Sequence, residues 1–346
     1  MSKTKTAARV ALAGCVVLWL ASSSGRATAQ PPAAAQDACG GRSNTPQVAC
    51  QTDVDRMMAA LPDKAPAMPL RPRKILVLGR AAGFVHSSIP LAAKTVEMLG
   101  SRTGAWATTI TYDAADINAH NLAQYDLVFL ASTTGCFLDD PNDKAVSDAR
   151  RAALIDFVRG GRGLAGIHAA SDSYHGSVCG GGGRGRGGAS PAVPGGLPLW
   201  PEFNKIIGGY FKFHWVDPQL ITVRIDDPKS PLTVMFHGQG FEIRDETYTY
   251  NQESFSRENV HVLTSIDYPK MSDEDKAKET NPRSDHDYAL SWIRREGKGR
   301  VFYEGHGHHE RVYAMKPMLE HIVAGIQYAL GDLKADDAPG GKAGTR

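Results

Sequence analysis

Between residues 73 and 168, short apolar runs alternate with amphipathic runs of helical length, and this alternation limits the chain to few folds. Strands are predicted at Arg73–Gly79, Ala107–Tyr112, Asp126–Ala131 and Gly163–His168, and helices at Ile89–Arg102 and Asp148–Arg159. Continuous apolar strands separated by helices are typical of a parallel sheet covered on both faces. Right-handed crossovers then give an α/β, doubly wound, flavodoxin-like layout.

The second half of the chain carries a different pattern. Five runs between Leu220 and Glu304 favour β-strands, and one amphipathic helix is predicted over Met315–Leu330. We therefore expect antiparallel β elements added to a mostly parallel sheet, in one α/β domain over residues 73–333. A glycine-rich stretch at 177–199 interrupts the pattern and predicts a flexible insertion.

The run Leu164–Ala170 ends the fourth predicted strand in a sharp turn between small residues. In many α/β enzymes such a turn carries a serine or cysteine nucleophile. Here the position, predicted to be exposed, holds His168. Imidazole can bind a metal, move protons or bond to a sugar hydroxyl, but it seldom forms the lasting covalent intermediates of Ser and Cys. The fold of a hydrolase or amidotransferase would then carry a different chemistry.

The two ends of the chain differ from its middle. Residues 1–29 have a basic start, an apolar core and a small-residue cleavage site, which predicts a signal peptide and a periplasmic or secreted protein. The apolar core is too short to span a membrane. Residues 30–72 are predicted to be a linker or arm with one short helical stretch near Val54–Leu61, and residues 334–346 a disordered tail.

Export implies an oxidising compartment, which bears on the cysteines. Cys39 and Cys50 flank a polar loop and suggest a local disulfide, whereas Cys136 and Cys179 can either pair or stay free thiols. Formal net charge is +2 with no long basic run, so the sequence predicts no nucleic-acid partner.

Polar residues follow the carboxyl ends of the predicted strands, where parallel α/β sheets bind ligands. His86 follows the first strand, His168 the fourth, Glu246 a late strand and His308 the last. We predict these four as catalytic residues, and they are also a sensible ligand set for zinc or another divalent metal. A single histidine is more often an ordinary hydrogen-bonding residue than a ligand, but the sharp turn at His168 favours a functional role there.

Glu246 has an acidic neighbour, and only one of the two can enter a given pocket. On an extended strand Asp245 and Glu246 point to opposite faces. Glu246 is predicted to act as base or acid, because a buried carboxylate near imidazoles can have a pKa tuned towards neutral. The alternative is an exposed acidic turn.

Four further residues are predicted to bind substrate. Phe84 and Tyr210 suit the apolar faces of sugar rings, although core packing explains at least half of the aromatic residues equally well. His214 lies in an aromatic run, and Asp172 is expected to orient His168 or to complete the pocket.

Together these segments resemble the ThuA-like (trehalose-utilization) family, within the class I glutamine amidotransferase-like superfamily. The matching segments are Gly83–Pro90, Thr133–Gly135, Gly166–Asp172, Gly208–Phe211, Asp245–Glu246, loosely Pro282–Trp292, Gly299–Tyr303 and Gly307–His308. The resemblance covers residues 73–331 and implies a flavodoxin-like fold without the amidotransferase cysteine. Carried over by position, its site would include His86, His168, Asp172, His214, Glu246 and His308.

Three positions depart from the family pattern. The insertion at 177–199 stands where a shorter link is usual, and Cys136 replaces an acidic or polar residue after Thr-Thr-Gly. Phe213-His214-Trp215 replaces the more usual Gly-His-Pro, which bears on the role of His214.

The resemblance also implies a role in the use of disaccharides or glycosides, including 3-keto-sugars made by a partner sugar oxidoreductase. We therefore expect an exported carbohydrate-processing enzyme that works by His/Glu acid–base or metal-assisted chemistry. A carbohydrate-binding protein without turnover and a metal-dependent hydrolase of another substrate remain alternatives. The cofactor is unknown, with zinc or another divalent metal as the candidate, and the partner is a small sugar or glycoside.

Overall fold

A nine-stranded mixed sheet forms the centre of the structure, a computed structural model that describes residues 39, 47–176 and 196–340. In these residues the strands are β1 Lys74–Leu78, β2 Ala107–Thr111, β3 Leu127–Ala131, β4 Gly163–Ile167, β5 His175–Gly176, β6 Leu197–Pro198, β7 Phe211–His214, β8 Gln219–Ile225, β9 Phe241–Asp245, β10 Tyr248–Tyr250, β11 His261–Ile266, β12 Ala289–Glu296 and β13 Gly299–Glu304. The α-helices are α1 Gln51–Ala60, α2 Ile89–Thr103, α3 Ala119–Leu122, α4 Lys144–Arg159, α5 Pro201–Ile207, α6 Asp273–Lys276 and α7 Lys316–Leu330.

Five neighbouring strands of the sheet are parallel and lie in the order β2-β1-β3-β4-β13. With β13 as the fifth strand, this is the 2-1-3-4-5 order of flavodoxin-like folds. The predicted doubly wound, mostly parallel sheet is confirmed. Such folds bind ligands where the strand order reverses, at the carboxyl ends of the strands.

Alternate side chains of the parallel strands enter two separate cores, which explains their continuous apolar runs. On β1, Ile75 and Val77 pack in the core that α2 and α7 cover, while Leu76 and Leu78 pack in the core that α4 and α5 cover. Full burial of each such side chain contributes about 1.5–3 kcal/mol. The loops at the strand ends of the parallel half therefore start from a closely packed base.

The second half continues the sheet with antiparallel strands β12, β11, β8 and β9, as expected. The strands β7 and β10 pair separately as a small antiparallel sheet, with His214 opposite Tyr248. The sequence pattern did not predict this pair, because both strands are short and rich in aromatic residues instead of alternating. The pair matters for the site because β7 follows Tyr210 and contains His214, and β10 begins two residues after Glu246.

The segment predicted as a loose arm is packed against the domain over its described part. Helix α1 buries Met57, and Cys39 and Cys50 form a disulfide with their Cα atoms 4.8 Å apart. The backbone of Ala67 exchanges two hydrogen bonds with the side-chain amide of Gln327 on α7, at 2.9 and 2.6 Å. The prediction of a loose arm is therefore wrong for residues 47–72, because a buried amide on α7 binds their backbone.

The polar tail predicted as disordered from residue 334 also contacts the domain as far as residue 340. The Tyr328 hydroxyl donates to Asp337 at 2.9 Å, and the carbonyl oxygen of Ala338 lies 2.9 Å from His261 Nδ1. The Gly340 N–H donates to the Val260 carbonyl at 3.2 Å. The polar composition of the tail did not predict these contacts, because they consist of single hydrogen bonds and bury little apolar surface.

Several predictions fall outside the described residues. These are the signal peptide at 1–29, the end of the tail at 341–346, most of the insertion, and the pairing of Cys136 with Cys179. The end of the insertion is described, and there β6 pairs with β5. Within the part of the chain that the structure describes, no helix combines the length and hydrophobicity that a membrane crossing requires.

Candidate functional site

His168 begins the sharp turn after β4, with its backbone in the left-handed region at φ +47°. Its Nδ1 lies 3.1 Å from the Gly305 carbonyl oxygen. Since only an N–H can donate to a carbonyl, Nδ1 carries the proton and Nε2 presents a lone pair. The prediction that this side chain is exposed is wrong: it is fully buried, covered by the rings of Tyr248, His86 and His308.

Tyr303 on β13 holds the backbone of this turn. Its hydroxyl donates to the His168 carbonyl at 2.6 Å and lies 2.7 Å from Ser171 Oγ, and the Tyr250 hydroxyl donates to it at 2.9 Å. A non-glycine residue at positive φ costs about 1–2 kcal/mol. The buried network therefore offsets the cost of placing His168 in this conformation.

Replacing Tyr303 with phenylalanine is expected to lower the free energy of unfolding by about 2 kcal/mol, because the His168 carbonyl and its neighbours lose a buried partner. Urea unfolding followed by circular dichroism measures the change. A loss below about 0.5 kcal/mol, the least expected of a net hydrogen bond, would contradict the role given to this network.

Asp245 fixes the loop that carries His308. Its fully buried carboxylate accepts hydrogen bonds from the backbone N–H groups of Gly307 at 2.7 Å, His308 at 3.3 Å and His309 at 2.9 Å. Ser88 Oγ donates to the Gly307 carbonyl from the other side at 2.8 Å. Burial raises the pKa of Asp245, and the N–H donors oppose this effect. The His308 backbone is thus held by residues distant in the sequence.

Glu246 and His86 complete the cluster from two other elements. Glu246 follows Asp245 and turns its carboxylate towards His168 and His308. His86, in the loop after β1, sets its ring 4.9 Å from the rings of both other histidines and nearly perpendicular to them. Three elements of the parallel half and one of the antiparallel half therefore converge at one edge of the sheet.

The structure brings together all four residues that the sequence predicts as catalytic and metal-binding, and we call them the His86–His168–Glu246–His308 cluster. His168 Nε2 lies 3.2 Å from His308 Nδ1 and 3.7 Å from Glu246 Oε1, and the latter two atoms are 3.4 Å apart. One donor atom from each residue lies within 4.8 Å of all the others. Nitrogen and oxygen donors around a tetrahedral zinc ion lie about 3.4 Å apart. The cluster therefore fits one small divalent cation.

The charges of the cluster differ from the sequence-based expectation for Glu246. Burial alone would raise its pKa, but the hydrogen bond with His308 and the charges of His168 and His214 lower the pKa of Glu246 to about 2. The prediction of a pKa tuned towards neutral is wrong, because three imidazoles face one carboxylate. The pKa of His168 lies well below its ordinary value, first because the ring is buried and second because the nearby imidazole of His86 disfavours a positive charge there. Glu246 is thus ionised and faces three imidazoles.

Two of the predicted substrate-binding residues border the cluster. Phe84 is about a third exposed, and its ring packs edge-on against His86 with the centroids 4.7 Å apart. The imidazole of His214 is 40% exposed, with Nδ1 3.8 Å from Glu246 Oε2 and 2.8 Å from the Trp215 carbonyl oxygen. His214 is therefore more exposed than any of the four cluster residues.

The other two, Asp172 and Tyr210, lie together in a second polar patch. Asp172 forms a short hydrogen bond with His175, and the ring of Tyr210 stacks on the same histidine with centroids 5.7 Å apart. The prediction that Asp172 orients His168 is wrong, because the Gly305 carbonyl takes that role.

Tyr248 lies between the cluster and this patch. Its ring is 4.5 Å from that of His168, and burial, followed by the charges of Asp172 and Glu246, raises its pKa well above the ordinary value. Tyr248 is one of the aromatic residues that the sequence places near the predicted site, whereas Asp217, which contacts His308, and the anchoring role of Asp245 were not predicted. The sequence indicated these residues only by their nearness to predicted site residues. Asp245 and Tyr248 lie within two residues of Glu246, and Asp217 lies three residues after His214.

Comparisons with known proteins agree with this architecture. The sequence profile of the family described as trehalose utilisation, ThuA, matches residues 74–329. A putative ThuA-like protein from Bacteroides uniformis has the same fold, with a TM-score of 0.52 and 20% identity over 76% of this chain and 92% of that chain. Another from Parabacteroides merdae gives a TM-score of 0.47 and 15% identity over 75% and 90%. No protein with a curated description matches the chain. Since the family match covers most of its length, the chain belongs to the ThuA family.

Proposed function

We propose that this protein is an exported, metal-assisted enzyme that acts on a disaccharide or glycoside, including a 3-keto derivative of such a sugar. The observation that carries the proposal is the convergence of three imidazoles and one carboxylate, with donor atoms 3.2–3.7 Å apart in the three measured pairs. The family description as trehalose utilisation supports a sugar as the substrate.

The donor set supports a bound cation. His168 Nε2 presents a lone pair, because its other nitrogen donates to Gly305, and Glu246 is ionised. Lone pairs and a negative charge that face one another are stabilised by a positive charge between them. Imidazole and carboxylate ligands suit zinc, which also accepts tetrahedral geometry. When bound, such an ion would polarise a carbonyl or hydroxyl oxygen and lower the pKa of water.

The surrounding side chains supply proton transfer and orientation. The Nδ1–H of His214 donates to the Trp215 carbonyl, which leaves Nε2 as the nitrogen that accepts or returns a proton. Its exposed position beside Glu246 suits contact with a substrate hydroxyl. The sharp turn after β4 holds His168 instead of a cysteine, so this position has no thiolate nucleophile.

Side chains next to the cluster and in the second polar patch suit a carbohydrate. Phe84 offers a partly exposed ring, which suits the C–H faces of a sugar. The carboxylate of Asp172 with His175 provides hydrogen-bonding groups for hydroxyls. A 3-keto-sugar would be supplied by a sugar oxidoreductase, which we propose as a partner in the same pathway. Export is supported by the predicted signal peptide and by the Cys39–Cys50 disulfide.

The proposal is tested on chelator-treated protein. Titration with Zn²⁺ should show one ion per chain, and incubation with a panel of disaccharides and their 3-keto derivatives should give products by mass spectrometry only after zinc is restored. Absence of cation binding, or equal turnover with and without the ion, would overturn the metal-assisted mechanism. Binding of a sugar without turnover in any state would replace the enzyme with a carbohydrate-binding protein.

A further inference from the structure

The outer edge of the His308 imidazole faces a carboxylate that belongs to neither the cluster nor the second polar patch. Asp217 Oδ2 lies 3.3 Å from His308 Nε2, while His308 Nδ1 faces Glu246 and His168. We propose that Asp217 is a positioning residue, which fixes the tautomer and ring orientation of His308 so that Nδ1 is available as a ligand. This inference rests on the proposed metal-binding function of the cluster.

For His308 to bind a metal, one of its ring nitrogens must carry a proton and the other must not. To bind a metal, Nδ1 must give up the proton of its hydrogen bond with Glu246 and present a lone pair, so the one remaining ring proton must reside on Nε2. Asp217 accepts that proton in a hydrogen bond, whereas the other tautomer would set a lone pair against the carboxylate. A metal-bound histidine almost always donates its second N–H to a carboxylate, a carbonyl or water. His168 follows the same rule, because its Nδ1–H donates to the Gly305 carbonyl and leaves Nε2 free to bind a metal.

Asp217 is itself held in place. It lies in the turn between β7 and β8, and its second oxygen, Oδ1, lies 2.6 Å from His309 Nε2. One carboxylate thus bridges two consecutive imidazoles of the loop after β13. The strand before this turn ends at His214, which approaches Glu246. The segment from His214 to Asp217 therefore contacts both Glu246 and His308 from outside the cluster.

Asp217, His308 and His309 also offer three donor atoms close enough to hold a second ion. The geometry favours direct hydrogen bonding, because the 2.6 Å contact between Asp217 and His309 is shorter than the separation of about 3.4 Å expected for two ligands of one tetrahedral ion. The 3.2–3.7 Å separations within the cluster, in contrast, match that value.

The test compares Co²⁺ binding by the unmodified protein, D217A and D217N. D217A should weaken Co²⁺ binding by about 10–100-fold, and D217N should lose less, because its amide oxygen can still accept the Nε2–H hydrogen bond. The visible absorption of bound Co²⁺ should also change in D217A, since the freed ring reorients; a purely structural residue would leave that spectrum unchanged. Both variants should fold, because Asp217 is a third exposed.

The matched control is D227A, which removes an Asp–His pair of similar geometry far from the cluster in sequence, with Asp227 2.9 Å from His261. Its Co²⁺ affinity should equal that of the unmodified protein. Co²⁺ affinity of D217A within about threefold of the unmodified protein would overturn this inference alone. Two ions in the unmodified protein and one in D217A would make Asp217 a ligand and also overturn it. Absence of Co²⁺ binding by the unmodified protein would overturn the proposed function and this inference together.

Discussion

Replacing His168 with alanine is expected to reduce zinc affinity by more than about 100-fold, because loss of an outer partner already costs 10–100-fold. Sugar turnover should fall below detection in the same variant. The ring supplies a donor that lies 3.2 Å from His308 Nδ1 and 3.7 Å from Glu246 Oε1, so its removal opens the cluster. Isothermal titration with Zn²⁺ and product detection by mass spectrometry measure the two effects.

His168→Asn separates this role from the fold, because asparagine tolerates a left-handed backbone and can still donate to Gly305. It should fold as the parent does and still fail to bind zinc tightly. His120→Ala, at an exposed histidine of α3, is the matched control and should change neither property. Zinc affinity within about tenfold of the parent in both His168 variants would remove this residue from the ligand set.

Replacing Asp245 with alanine should lower the free energy of unfolding by about 4 kcal/mol, since three backbone N–H groups lose one buried, charged acceptor. The same change should weaken zinc binding, because the loop that carries His308 loses its anchor. Urea unfolding monitored by tryptophan fluorescence gives the stability, and titration gives the affinity.

Asp227→Ala provides the comparison, because it removes a quarter-exposed carboxylate paired with His261. That change should cost about 1 kcal/mol, as expected for the loss of one net hydrogen bond. If Asp245→Ala costs no more than Asp227→Ala, the three hydrogen bonds do not hold the loop.

The parallel half of the fold follows from the sequence because each strand there is apolar on both faces and each helix is amphipathic. The positions of His86, His168 and His308 follow as well, since each lies just after a strand end. A sheet that aligns its carboxyl ends must bring such residues to one edge. Local pattern and topology are sufficient for that part of the site.

Other features depend on contacts that no local pattern encodes. Asp245 reads as one half of an acidic pair, and only the fold sets it opposite backbone groups about sixty residues later in the chain. The pKa of Glu246 depends on three imidazoles from separate elements, so a general expectation for buried carboxylates gave the wrong direction. The packing of residues 334–340 depends on single hydrogen bonds to groups such as Tyr328.

The pairing of β5 with β6 means that the chain leaves and re-enters the domain at neighbouring positions on either side of residues 177–195. A longer or shorter connection between paired ends costs only about 0.6 kcal/mol per doubling of its length. The length and sequence of the connection next to Asp172 and His175 can therefore change without displacing the three histidines of the cluster.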